Sequence, residues 1–120
     1  MLTKLQKEIL IEGIIQEIND LGGNITKLEY GERKNPEYCP IANALSQFCK
    51  NVIITYDYAA WTYNNEYYHL NYFDNKWEDQ PYGDIHPFRI FIEEFDKGNF
   101  PEYELCKLCY KSIKDCICLR

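Results

Sequence analysis

The sequence predicts an α+β fold: helices packed on one face of an antiparallel β-meander, with a short C-terminal four-cysteine zinc knuckle. Three observations carry this. Apolar residues recur at three-and-four spacing near both ends, in residues 2–21 and 87–97. Between Val52 and Trp77 the apolar period drops to two, as in half-buried strands. Four of the six cysteines then fall within thirteen positions, from Cys106 to Cys118. A chain of 120 residues is one domain's length. Residues 1–105 are therefore read as a single α+β body and 106–120 as a Cys-rich tail packed on it.

Residues 2–21 form the first predicted helix, with Leu5, Ile14, Ile18 and Leu21 on its apolar face and Gly22-Gly23 as its stop. A short strand is expected over Asn24–Tyr30, anchored by Ile25 and Leu28, and residues 31–38 read as polar loop. The second helix is placed at Cys39–Cys49, with Pro40 at its first position, where the missing N–H costs nothing. Val52–Tyr58 reads as a strand. Residues 60–63 and 66–73 form a hairpin around Asn64-Asn65, which tolerate left-handed turn geometry. Asp74-Asn75-Lys76 is a second turn leading to Trp77. The third helix runs over Pro87–Lys97, burying Phe88, Phe91, Ile92 and Phe95 and capped by Gly98. Phe100–Leu105 is expected to add an edge strand.

Cys106-Lys107-Leu108-Cys109, six residues, then Cys116-Ile117-Cys118 make a C-x2-C followed by a C-x-C. Zinc takes four soft ligands at tetrahedral corners, and two close cysteine pairs supply them, so Cys106, Cys109, Cys116 and Cys118 are the expected ligands of a structural zinc ion. Local disulfides and free thiols are the alternatives. The six-residue span is short for a zinc finger, and His86 is a possible substitute ligand. The N-terminus has no secretory pattern and no apolar run approaches eighteen residues, so a cytoplasmic protein without a membrane span is expected.

The formal charge is −6. The last fifteen residues carry four basic side chains against Asp115, which leaves the other 105 at a net −9. Such a body repels a nucleic-acid backbone, whose affinity comes largely from Lys and Arg at phosphates. It suits a basic protein surface. The candidate contact residues are the strand aromatics Tyr56, Tyr58, Trp61, Tyr63, Tyr68 and Tyr72, with Asp57, Asp74 and Arg89 beside them. By strand parity Tyr56 and Tyr58 share one face, and Tyr68 and Tyr72 share another. The bland alternative is that these rings are ordinary amphipathic sheet residues.

Cys39 stands just before a helix start, where the positive end of the dipole lowers a thiol pKa. A thiol nucleophile needs a base, and the chain has only His69 and His86. The simpler reading makes Cys39 a buried residue that seats the helix, and the chain is expected not to be an enzyme.

The run Cys39-Pro40-Ile41-Ala42-Asn43-Ala44-Leu45, followed by Phe91-Ile92-Glu93-Glu94-Phe95-Asp96-Lys97-Gly98 and then Pro101, resembles small accessory proteins of phages and mobile elements. The likeness covers roughly residues 39–104. It implies a phage or prophage origin and no particular reaction. The resulting expectation is an acidic protein that binds and inhibits a host factor, such as a nucleic-acid-handling defence effector, in the host cytoplasm. An alternative is a protein that sequesters a small nucleotide immune signal at an oligomer interface, with Arg33, Lys34 and Arg89 on the phosphate. A third is a small zinc protein that binds nucleic acid through the +3 tail.

Overall fold

The computed structural model describes residues 2–73 and 86–105. Thr3 opens the first helix, α1 (Lys4–Asp20), through a reciprocal capping box: its Oγ1 accepts from the Gln6 N–H (3.1 Å) and Gln6 Oε1 accepts from the Thr3 N–H (2.8 Å). Leu10, Ile14 and Ile18, each four residues apart, are fully buried. The helix ends where Gly22 turns to φ +117°, and the Gly23 N–H reaches back to the Ile18 carbonyl.

The strand expected at Asn24–Tyr30 does not form. The Asn19 side chain takes both backbone groups of Ile25, accepting from its N–H (2.8 Å) and donating to its carbonyl (3.0 Å). Among the described residues, pairing is reduced to one isolated parallel bridge, Gly31 with Glu104. The edge strand expected at Phe100–Leu105 is likewise a short 3-10 turn at Pro101–Tyr103 followed by that bridge.

The second helix, α2, is Pro40–Leu45, shorter than expected and continued to Cys49 only as tight turns. The strand β1 (Lys50–Ile54) follows, then β2 (Tyr58–Tyr63) and β3 (Glu66–Asn71), in the antiparallel order β1-β2-β3. Thr55 ends β1 early. Its Oγ1 accepts from the Asp57 and Tyr58 N–H groups and donates to the Tyr58 carbonyl, closing a tight turn where a continuous strand was expected. Asn64 (φ 52°) and Asn65 (φ 66°) make the β2–β3 turn with both central residues left-handed, as a type I′ hairpin requires. The helix α3 (Pro87–Asp96) buries Phe88, Phe91, Ile92 and Phe95 as expected, and Gly98 at φ +85° follows it.

Opposed residues set the sheet's faces. Ala59 with Leu70 and Trp61 with Tyr68 look inward; Ala60 with His69 and Thr62 with Tyr67 look outward. One apolar cluster joins the three helices to the inner face, from Leu10 and Ile14 through Ile41 and Leu45 to Ile54, Trp61 and Phe91. The fold is α+β. The second turn at Asp74–Lys76, Trp77 and the cysteine tail lie outside the described residues.

Candidate functional site

The predicted aromatic surface separates into core and surface rings. Trp61 and Tyr72 are 4% and 2% exposed and belong to the core, so neither serves as a contact residue. Tyr63 is half-buried against Phe48 (ring centroids 6.0 Å). Tyr58 lies on the outer face stacked on His69 at 4.9 Å, whereas Tyr68, on the inner face, stacks on Trp61 and keeps its outer edge in solvent. Tyr56 sits in the turn after β1, so it does not share a strand face with Tyr58. What remains exposed is a discontinuous band on both faces of β3 and in the turns beside it: Tyr67 (70%) on the outer face, Tyr68 on the inner face, Phe73 (62%) after the strand and Tyr56 in the β1–β2 turn. Tyr67 and Phe73 were not among the expected contact residues; the sheet register turns Tyr67 outward, and Phe73 lies just past the end of β3. Asp74 lies outside the described residues.

At one end of this band the structure brings Cys39, Tyr56, Asp57 and Arg89 together with residues far away in sequence. A groove of about 390 Å³ runs between the Lys34–Pro36 loop, the Thr55-Tyr56 turn and α3, floored by Cys39, Ile54 and Ile92. It continues into an open hollow edged by Arg89, Glu93 and Lys97. Asp96 is its hinge. One carboxylate oxygen accepts from the Lys34 backbone N–H (2.7 Å) and the other from the Tyr56 hydroxyl. That hydrogen bond to Asp96 is the main reason the Tyr56 phenol is pushed up to about 12. Sequence reasoning missed Asp96 and the Lys34–Pro36 wall, because positions 34 and 96 are joined only by tertiary contact.

Arg89 is held on three sides: Nε to Glu93 Oε1 at 3.0 Å, Nη1 to Asp57 Oδ1 at 3.9 Å, and the guanidinium over the Phe73 ring at 4.8 Å. Arg33 points elsewhere, into an ion pair with Glu104 (2.8 Å), so it is not part of the groove.

Cys39 caps α2: its Sγ accepts from the Ala42 N–H at 3.4 Å, beside Pro40 at the first helical position. The expected fall in thiol pKa does not occur. Cys39 is buried, and loss of solvation outweighs the helix-end N–H groups, pushing the thiol up to about 12. Cys49 is also buried. His86 caps α3, its Nδ1 accepting from the Phe88 N–H (3.1 Å) while its ring stacks on Tyr72 at 4.9 Å. It is fully buried, so it has a structural task apart from the zinc role considered for it. Among the described residues, no group of three or more His, Cys, Asp or Glu side chains is placed to hold a metal ion, and no helix is long and apolar enough to cross a membrane. The four expected zinc ligands lie outside the described residues. No protein-family model, curated protein or solved structure matches this chain.

Proposed function

We propose that the protein is a non-enzymatic interaction module, of phage accessory type, that binds a basic surface of a host protein in the cytoplasm and inhibits it. The observation that carries this is the set of exposed rings on and beside β3, Tyr67, Tyr68, Phe73 and Tyr56, on a body whose net charge is negative. Rigid amphipathic rings are efficient interface anchors, and surrounding carboxylates steer a basic partner and fix its register. Asp57, with 77% of its side chain exposed, directly follows Tyr56 in the turn after β1. Affinity capture from host lysate, followed by mass spectrometry, tests this with the double variant Tyr67→Ala/Asp57→Lys. A basic host protein held by the wild type should be lost by the variant, with binding weakened by roughly 2 kcal/mol or more, as for a central ring anchor. Equal recovery by both proteins, at equal thermal stability, would sink this surface.

In the same reading Cys106, Cys109, Cys116 and Cys118 hold one structural zinc ion, supported by their paired spacing. Native mass spectrometry of protein purified without chelator should find one zinc per chain, and Cys109→Ser should abolish it. Masses short by two hydrogens per cysteine pair, with no metal, would show disulfides instead.

A further inference from the structure

The groove shares Tyr56 with the exposed band but is built differently from it. Its interior is apolar, floored by Ile54, Ile92 and the neutral Cys39 thiol, and the Tyr56 ring forms part of its wall. Charge is sorted at its mouth. Arg89 is neutralised by Glu93 and Asp57, and the Asp96 carboxylate already accepts two hydrogen bonds. Lys34 and Lys97, both exposed, make no ion pair among the described residues. The two ammonium groups are therefore the groove's uncommitted charges, and they edge the hollow into which the apolar part opens.

A site built this way suits a ligand with a flat apolar body and one anionic head. A carboxylate has about four acceptor positions, so Asp96 still has two for N–H donors on such a body. An aliphatic acid would leave these unused, whereas a heteroaromatic base carrying an amino group would fill them and stack on Tyr56. The volume, about 390 Å³, falls in the usual range for small-molecule sites. The geometry points to this groove as a binding site for a nucleotide-class anion, with the base between Tyr56 and Ile92, Asp96 reading its amino edge, and Lys34 and Lys97 on the phosphate. The site lies within one chain and needs no second copy.

The test is isothermal titration calorimetry of the full chain with the 5′-monophosphates of adenosine, guanosine, cytidine and uridine, alongside adenosine and decanoate. At least one nucleotide should bind, amino-bearing bases ahead of uridine 5′-monophosphate, and adenosine more weakly than its monophosphate. The variant Lys34→Gln/Lys97→Gln alters only exposed side chains. It should weaken nucleotide binding roughly tenfold, the loss expected for contacts to a charged group, and leave adenosine binding unchanged. Tyr56→Ala should weaken both ligands by a similar factor through lost stacking. Three outcomes would overturn the site: no nucleotide binding at millimolar concentration, nucleotide binding equal in wild type and the lysine variant, or binding of decanoate alone. Tyr67→Ala alone changes no residue of the groove or of the Arg89 ion pairs, so failure of protein capture and failure of nucleotide binding are read separately.

Discussion

Replacing Gly31 with alanine is expected to destabilise the protein by about 3 kcal/mol or more, at the upper end of overpacking costs. A Cβ at position 31 would collide with Pro40 N and meet Cys39 C at 2.5 Å and Pro40 Cδ at 2.6 Å. Side chains yield to such contacts by changing rotamer, but two of these three atoms are backbone. That backbone is fixed by the buried start of α2, where Cys39 caps the helix and Ile41 is fully buried. Nor can residue 31 retreat, since its N–H donates to the Tyr103 carbonyl (2.8 Å) and its carbonyl accepts from the Leu105 N–H (2.9 Å). Thermal denaturation should show a fall of roughly 10 °C or more, at a few degrees per kcal/mol for a domain of this size. Pro40→Ala should not restore stability, because it removes only the ring. A melting temperature within about 2 °C of wild type would mean that residues 31 and 39–40 do not approach so closely in solution. The groove should suffer too, since Gly31 leads into the Lys34–Pro36 wall and the Pro36 carbonyl accepts from the Ile54 N–H at 2.9 Å.

Phe91→Ala should cost about 4 kcal/mol, within the range for emptying a buried aromatic site. Phe91 is fully buried at the centre of an aromatic cluster, with Phe95 at 5.5 Å, Phe100 at 4.8 Å and Tyr103 at 6.0 Å between ring centroids. These rings tie α3 to the segment that carries the bridge to Gly31, so the cavity cannot collapse without moving both. The conservative Phe91→Leu keeps most of the volume and should lose only about 1–2 kcal/mol. Chemical denaturation checks both: the midpoint should fall in the order wild type, Leu, Ala, with the slope unchanged. Equal midpoints for Leu and Ala variants would show that ring packing at this position contributes little.

The elements that were legible in the sequence are those whose signal is local. The apolar spacing of Leu10, Ile14 and Ile18, and of Phe88, Phe91 and Phe95, repeats each turn, so it marks α1 and α3 without knowledge of partners. Asn64-Asn65 marked the hairpin because few other residues tolerate two successive positive φ values. Pro40 marked the start of α2 for an equally local reason, its missing N–H.

The misses share another cause. Residues 24–30 have strand-like content, but a strand needs a ladder partner, and here the Asn19 amide satisfies Ile25 first. Tyr56 was assigned a strand face because parity assumes a continuous strand, and one hydroxyl, that of Thr55, bends the chain before it. The expected low thiol pKa of Cys39 followed from its place at a helix end, but burial is set by the whole core and is the larger effect.

The sequence by itself determined the fold class, the three helices, the hairpin turn and the excess of carboxylates, since each rests on residue type and near-neighbour spacing. Only the tertiary structure decided which aromatics are core and which meet solvent, because exposure depends on what packs against each face. It also decided that Lys34, Tyr56 and Asp96 share one groove. Those residues are held together by a backbone N–H and a phenol donating to the same carboxylate across sixty-two and forty positions, and no local pattern encodes a contact of that span.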